Sequence, residues 1–319
     1  MLFETMPRSI LGIDSIEFLL IDDGSTDTTQ EVAEKLGIKH VVKVSNRNRR
    51  WLGRAFKAGA DFAVLHGFDI VVNTDGDNQY PSAEIARLVA PIVQGRANVV
   101  IGDRRPGSFA EFSAFKRFLQ RMGNFLLRRL TGENVPDAVS GFRAYSRKAL
   151  LQLNVITNHT YTVDTLIQSY KKGLDVAWVE ISPNPQTRES RLVKSPVEMA
   201  RRQGMNALRL IAIYDPFRIF LAAAFVFLFP AVFFLGRFGY FYLFLHEEAA
   251  GHVQSVIVGG ALLVIAVTLA VFSVIAGLLS VNRMLIEDVL QRLKRLESSD
   301  TQEAPGVRGE RDQPIRRIG

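Results

Sequence analysis

The chain has 319 residues, 48% of them hydrophobic, no cysteine and a formal net charge of +7. That length allows one sizeable domain with an appendage, and the lack of cysteine excludes disulfides and zinc–thiolate sites. The basic residues lack an RNA- or DNA-binding motif, which sets nucleic acid aside as a partner and leaves anionic membrane lipid as the better match for the charge.

Short β-branched runs alternate with helical patterns through the first 180 residues. In chain order, Ile16–Ile21 predicts a strand, Thr28–Leu36 a helix, Val41–Ser45 a strand and Gly53–His66 a helix. Ile70–Asn73 predicts a strand, Ser82–Val93 a helix, Asn98–Ile101 a strand, Phe115–Leu130 a helix and Val176–Ile181 a strand. This alternation predicts an α/β domain over residues 1–194, with an open, mainly parallel sheet covered on both faces. Ligands of such sheets bind at the C-terminal strand ends.

Beyond it, Ser195–Asp215 mixes Met, Leu and Ile with arginines, a pattern for an interfacial amphipathic helix over 195–216 or for a plain solvated one. Ile219–Leu235 and Val253–Val281 are apolar runs long enough to cross a bilayer, and they place two transmembrane helices within 217–283. Arg201, Arg202, Arg209 and Arg218 precede the first, and Arg283, Arg292, Lys294 and Arg295 follow the second. The linking segment carries Arg237 alone beside Glu247 and Glu248. The positive-inside rule then expects a multi-pass protein of the cell membrane with its large domain and both ends in the cytoplasm. Residues 284–319 form the tail, polar and charged from about Ser298 and expected to be disordered.

Two predicted strand ends are acidic. In Asn73-Thr74-Asp75-Gly76-Asp77-Asn78-Gln79-Tyr80-Pro81, a run of Val and Ile ends in carboxylates at i and i+2. On an extended chain both point to one side, where they suit a hard divalent cation, and Gly76 lets a ligand approach the backbone. The same residues also suit an ordinary turn. In Ile21-Asp22-Asp23-Gly24-Ser25-Thr26-Asp27, Ser25 or Asp27 can cap the following helix, which leaves Asp22 and Asp23 to accept hydrogen bonds from a base or ribose. The arginines at 47, 49, 50 and 54 read as a solvated or lipid-facing patch, Trp51 and Trp178 as packing residues, and the five histidines show no metal-ligand spacing.

Together with Gly102-Asp103-Arg104-Arg105 and Ser140-Gly141-Phe142-Arg143-Ala144, these motifs occur in the order and spacing of family 2 glycosyltransferases. Over residues 5–195 the chain resembles the branch of dolichyl-phosphate mannose synthase and bacterial polyprenyl-phosphate glucosyltransferases, which the paired C-terminal helices also fit. The resemblance implies a nucleotide-diphosphosugar transferase (GT-A-like) domain that moves a hexose from a nucleotide sugar to a polyprenyl phosphate, with inversion. By matching positions it places Leu20, Asp22 and Asp23 at the nucleoside, Asp75, Gly76 and Asp77 at the diphosphate, and Mg2+ or Mn2+ on Asp75, Asp77 and Gln79. Asp77, Arg143 and Arg104 (or its neighbour Arg105) would carry the catalysis, the arginines by meeting the acceptor phosphate or leaving diphosphate. Arg188 and Arg191, in Arg188-Glu189-Ser190-Arg191-Leu192, match the family's later basic pair with a shorter spacing. A homo-oligomer fits the two short spans.

Members of that family open with an apolar strand and a Pro-Ala-Tyr-Asn-Glu type of loop, whereas Met1–Ile10 resembles the tail of the first helix and Ile16–Ile21 the second strand. The expectation is a start lying upstream of the stated one, which would leave the glycosyltransferase domain N-terminally incomplete. The alternative is a catalytically impaired, membrane-anchored sugar-nucleotide-binding or assembly protein. A processive polysaccharide synthase is disfavoured, because neither tryptophan sits in a Gln-x-x-Arg-Trp motif.

Overall fold

A computed structural model describes residues 2–45, 51–105, 127–128, 131–155, 161–184, 214–244 and 253–303. The chain forms two compact units, one of residues 1–194 with 289–319 and one of residues 195–288.

In the first unit the strands are β1 (Leu19–Asp22), β2 (His40–Lys43), β3 (Ile70–Asn73), β4 (Val99–Asp103), β5 (Arg143–Ser146) and β6 (Val176–Glu180). Its helices are α1 (Leu2–Thr5), α2 (Thr29–Lys35), α3 (Leu52–Leu65), α4 (Ile85–Val93), α5 (Arg147–Gln152) and α6 (Thr162–Lys171). β1 and β2 pair in parallel as a two-stranded sheet, and the other four form a second sheet in the order β3-β5-β4-β6. β4 and β6 are parallel, while β5 runs antiparallel to both β3 and β4. The expected mainly parallel arrangement is found, with β3, β4 and β6 running in one direction; Arg143–Ser146, a strand the sequence pattern does not announce, enters the middle in the opposite sense.

Strand residues alternate between two apolar cores as the pleat requires. Val71, Val99, Ile101, Tyr145, Val176 and Trp178 face a core shared with Phe56, Ala60, Ala63 and Val64 of α3 and Leu166 of α6. Ile70, Val72, Val100, Ala144, Ala177 and Val179 face the other, with Ile85, Leu88 and Val89 of α4 and Met6, Ile10 and Ile13 of the N-terminal segment. Val99, Val100 and Ile101 are wholly buried, each stabilising the sheet by roughly 1.5–3 kcal/mol. Helix α3 also covers the smaller sheet, since Gly59 lies against Ile21 and Leu19. Ser146 ends β5 and caps α5, its hydroxyl accepting from the Ala149 amide at 3.2 Å.

The second unit contains α7 (Pro216–Phe244) and most of α8 (Val253–Glu303), both long and apolar enough to cross a membrane. Large apolar side chains point outward, Phe229 being 82% exposed, as lipid-facing groups do. Where the helices meet, the residues are small: Ala224, Ala231 and Ala266 are buried, and Gly259 abuts Leu235 so closely that a methyl group would clash. The Ser273 hydroxyl donates to the Phe217 carbonyl at 2.7 Å. Helix α8 continues through Ser298 to Glu303, so the first six residues of the stretch expected to be disordered are helical. Of Phe115–Leu130 only Leu127 and Arg128, and of Ser195–Asp215 only Tyr214 and Asp215, fall among the described residues.

Candidate active site

Reversal of β5 has a direct topological result. The C-terminal ends of β3, β4 and β6 and the N-terminal end of β5 share one edge of the sheet, so four loops meet there. The Asp75–Asp77 loop leaves β3 and is held from two sides. Asn73 Nδ2 donates to the Gly141 carbonyl at 2.8 Å and to the Tyr161 hydroxyl at 2.6 Å. From the segment after β6, the Asn184 amide donates to the Gln79 carbonyl and Asn184 Nδ2 to the Asn78 carbonyl, both at 2.9 Å.

Within the loop, Asp77 Oδ1 accepts from the Gln79 amide at 3.1 Å, a two-residue Asx turn that fixes the second carboxylate. Asn78 takes the left-handed conformation, φ 59°, that lets the chain double back. Asp75 packs against the backbone of Gly141, where a Cβ would come within 3.2 Å of its carboxylate and 3.1 Å of the Tyr161 hydroxyl. A side chain there would be tightly placed and would press on both groups. The surrounding protein, and then the like charge of Asp77, hold the Asp75 carboxyl above the usual carboxylate range, with Arg104 pulling the other way.

Arg104 follows β4. Its guanidinium grips buried Asp137 in two parallel bonds, Nε to Oδ2 at 2.7 Å and Nη2 to Oδ1 at 3.0 Å. It remains close enough to Asp75 and Tyr80 to act on both electrostatically. Arg105, with φ 50°, turns away to pair with Glu180. Of the two arginines in the motif, Arg104 belongs to this edge. Tyr80 lies beneath it, stacked on Phe142 with centroids 5.2 Å apart, its hydroxyl accepting from the Gly141 amide at 2.9 Å. Burial, foremost, pushes the Tyr80 and Tyr161 hydroxyls above the ordinary tyrosine range, so both stay protonated.

Two of the expected site residues are buried and bonded to the protein itself. Arg143 is 0% exposed, and its guanidinium donates to the Ser140 carbonyl at 2.8 Å, the Thr162 carbonyl at 2.6 Å, the Thr165 hydroxyl at 3.1 Å and the Ala138 carbonyl at 2.8 Å. Among the described residues it braces the loop before β5 from within. Asp22 is 2% exposed, with Oδ1 accepting from the Ser25 amide at 2.7 Å and Oδ2 from Gln30 Nε2 at 2.6 Å. Burial would raise its carboxyl, but the bonds from Ser25 and Gln30 and the charge of Lys43 outweigh that and hold it low. One oxygen is bound to the turn and the other to helix α2. Asp23 is the other half of that motif: Oδ2 takes the Trp51 amide at 2.7 Å, while buried Oδ1 has no hydrogen-bond partner among the described residues. That orphaned oxygen suits a hydroxyl or N–H donor of a ligand. Leu20 lies half-buried in β1, and Arg188 and Arg191 lie outside the described residues.

The donor set at Asp75 and Asp77 is all oxygen, which fits Mg2+ or Mn2+. No three His, Cys, Asp or Glu side chains converge into a metal cage among the described residues. An ion held by this pair would therefore take its other ligands from an amide, from water or from the oxygens of a diphosphate. Asp137, Tyr161 and Asn184 are members of the site that the motifs did not single out; the Pro136-Asp137 turn just ahead of Ser140-Gly141 is the one local signal for any of them.

Residues 6–153 match the family described as Glycosyl transferase family 2. Polyprenol monophosphomannose synthase of Mycolicibacterium smegmatis is 28% identical over 176 residues, 52% of this chain and 66% of that protein. Glycosyltransferase AglJ of Haloferax volcanii is 29% identical over 186 residues, 54% of this chain and 56% of that one. An uncharacterized protein of Methanocaldococcus jannaschii is 30% identical over 172 residues, 51% of this chain and 68% of its own length. The chain thus spans between about half and two thirds of these relatives. With the acidic pair, the Arg104 loop and the Ser-Gly-Phe-Arg strand entry gathered at one sheet edge, the chain belongs to glycosyltransferase family 2, in the branch of the polyprenyl- and dolichyl-phosphate mannose synthases.

Proposed function

We propose that this protein transfers a hexose from a nucleotide sugar to a polyprenyl phosphate at the cytoplasmic face of a membrane, inverting the anomeric configuration. The observation that carries this reading is the meeting of Asp75, Asp77 and the Asp137-braced Arg104 at one sheet edge. Mg2+ or Mn2+ held by Asp75, Asp77 and Gln79 would supply charge stabilisation for a leaving diphosphate. Arg104, fixed in direction by Asp137, supports the same anion from the second side. Asp23 Oδ1 is suited to a ribose or base donor. A phosphate acceptor is already ionised near neutral pH, so the site needs no strong general base, and the neutral Tyr80 and Tyr161 hydroxyls are read as structural, holding Gly141 and, through Tyr161, Asn73. By the family resemblance, Arg188 and Arg191 are assigned to binding the nucleotide-sugar donor. Direct attack from the face opposite the nucleotide gives a β-linked product from an α-linked donor.

A second reading, a membrane-anchored binding or assembly protein without turnover, draws on the division of the six strands into two sheets. One experiment addresses both: purified full-length protein with polyprenyl phosphate and Mn2+, offered GDP-mannose, UDP-glucose or UDP-N-acetylhexosamines. Transfer of one sugar in β linkage, lost in Asp77→Ala with its fold intact, is the expected result. An α-linked lipid sugar by NMR, or metal-dependent turnover by Asp77→Ala, overturns the mechanism; donor binding without transfer favours the second reading.

A further inference from the structure

Past Arg283 the uniformly apolar part of α8 ends, and the helix runs on with charged residues to Glu303. Along this extension Ile286, Val289, Leu293 and Leu296 recur at spacings of three, four and three residues, which places them in one row. They are 69%, 56%, 50% and 61% exposed. Lys294, one position round the helix, pairs with Asp61 of α3 at 3.1 Å. The extension thus touches its own domain with a different face and leaves the apolar row at the surface. Large aliphatics in an unbroken row on a polar helix mark a contact surface.

We propose that this row is the seam of a parallel two-stranded coil with a second copy of the same chain. The four residues occupy a and d positions of consecutive heptads, with Ile286 at a and Leu296 at d. Arg292 then falls at g and Glu297 at the following e, so that in a parallel pair each arginine faces the partner copy's opposite charge. The proposal rests on the reading that α8 spans a membrane: copies inserted in the same sense present this row side by side at the same height. Two heptads are too few to hold a coil in dilute solution. Confinement of both copies to one bilayer raises their effective concentration and makes so short a seam sufficient.

The chain has no cysteine, so single introduced thiols report the seam without background. The full-length protein is expressed in membranes carrying Val289→Cys, Leu293→Cys or Gln291→Cys, the last on the opposite side of the helix, and oxidised with copper phenanthroline after a carbonate wash. The expected result is a disulfide-linked dimer from the 289 and 293 variants and its loss in the 291 variant. Adding Arg292→Glu to Leu293→Cys weakens the dimer band, and Glu297→Arg on top of both restores it. No dimer at 289 or 293, equal dimer at all three positions, or cross-linking to a different protein or to none while the row is shielded by lipid overturns the proposal. Retention in the washed pellet is read separately: protein released by carbonate overturns the spanning reading, whereas retained protein without the 289 cross-link overturns the seam alone.

Discussion

Arg143→Met tests whether the buried arginine builds the site or binds a ligand in it. Methionine keeps an unbranched stem but removes every donor, and three carbonyls, those of Ala138, Ser140 and Thr162, lose a partner in the interior. Leaving a buried acceptor unsatisfied costs roughly 1–3 kcal/mol. Relaxation of the loop recovers part of that, and a total near 3–5 kcal/mol is expected, comparable to breaking a buried charged contact. For a domain of this size the unfolding temperature falls by on the order of 10 °C. Circular dichroism of the detergent-solubilised full chain reads the shift, and Mn2+ titration reads the accompanying loss of the Asp75 site. Arg143→Lys is expected to rescue little, since one ammonium cannot reach oxygens on three sides. A variant that unfolds at the wild-type temperature yet has lost transfer would refute the bracing role and return Arg143 to the acceptor.

Gly141→Ala adds a methyl group 3.1 Å from the Tyr161 hydroxyl and 3.2 Å from the Asp75 carboxylate. Displacing that carboxylate is expected to weaken Mn2+ binding by roughly 10- to 100-fold with little change in unfolding temperature; unaltered affinity by calorimetry would locate the metal elsewhere. Asp22→Ala removes acceptors from Ser25 and Gln30 and is expected to cost about 1–3 kcal/mol at neutral pH. Because the folded carboxyl titrates below its ordinary value of 3.8, its contribution is complete above that pH and is lost as pH falls through the folded value. Denaturation curves of wild type and variant should therefore converge in acid, and a gap that persists there would contradict the bonding described.

Five of the six strands were legible because each is a short β-branched run bounded by breakers, and the acidic pair because its carboxylates end one of them. β5 was not, since Arg-Ala-Tyr-Ser carries no apolar run; it is a strand because β3 and β4 enclose it. The surroundings of its arginine were hidden for the same reason. An arginine after a Ser-Gly turn looks exposed, and nothing local announces that carbonyls from residues 138, 140 and 162 converge around it. Asp137 had only the Pro136-Asp137 turn to mark it, because its partner lies 33 positions away. At Asp22-Asp23 the sequence offered two carboxylates for a turn and a ligand, and only packing shows that the first binds Ser25 and Gln30 while the second keeps one oxygen without a hydrogen-bond partner among the described residues.

Helix α3 joins two places with no neighbourhood in sequence. Phe56 stacks on Tyr161, ring centroids 4.4 Å apart and planes within 2°, and the Tyr161 hydroxyl reaches the Gly141 carbonyl at 3.2 Å. Little more than one turn further along the same helix, Asp61 holds Lys294. The last turns of α8 and the aromatic stack beside Gly141 thus lean on one and the same helix, so a change in α3 reaches both ends of this unit at once.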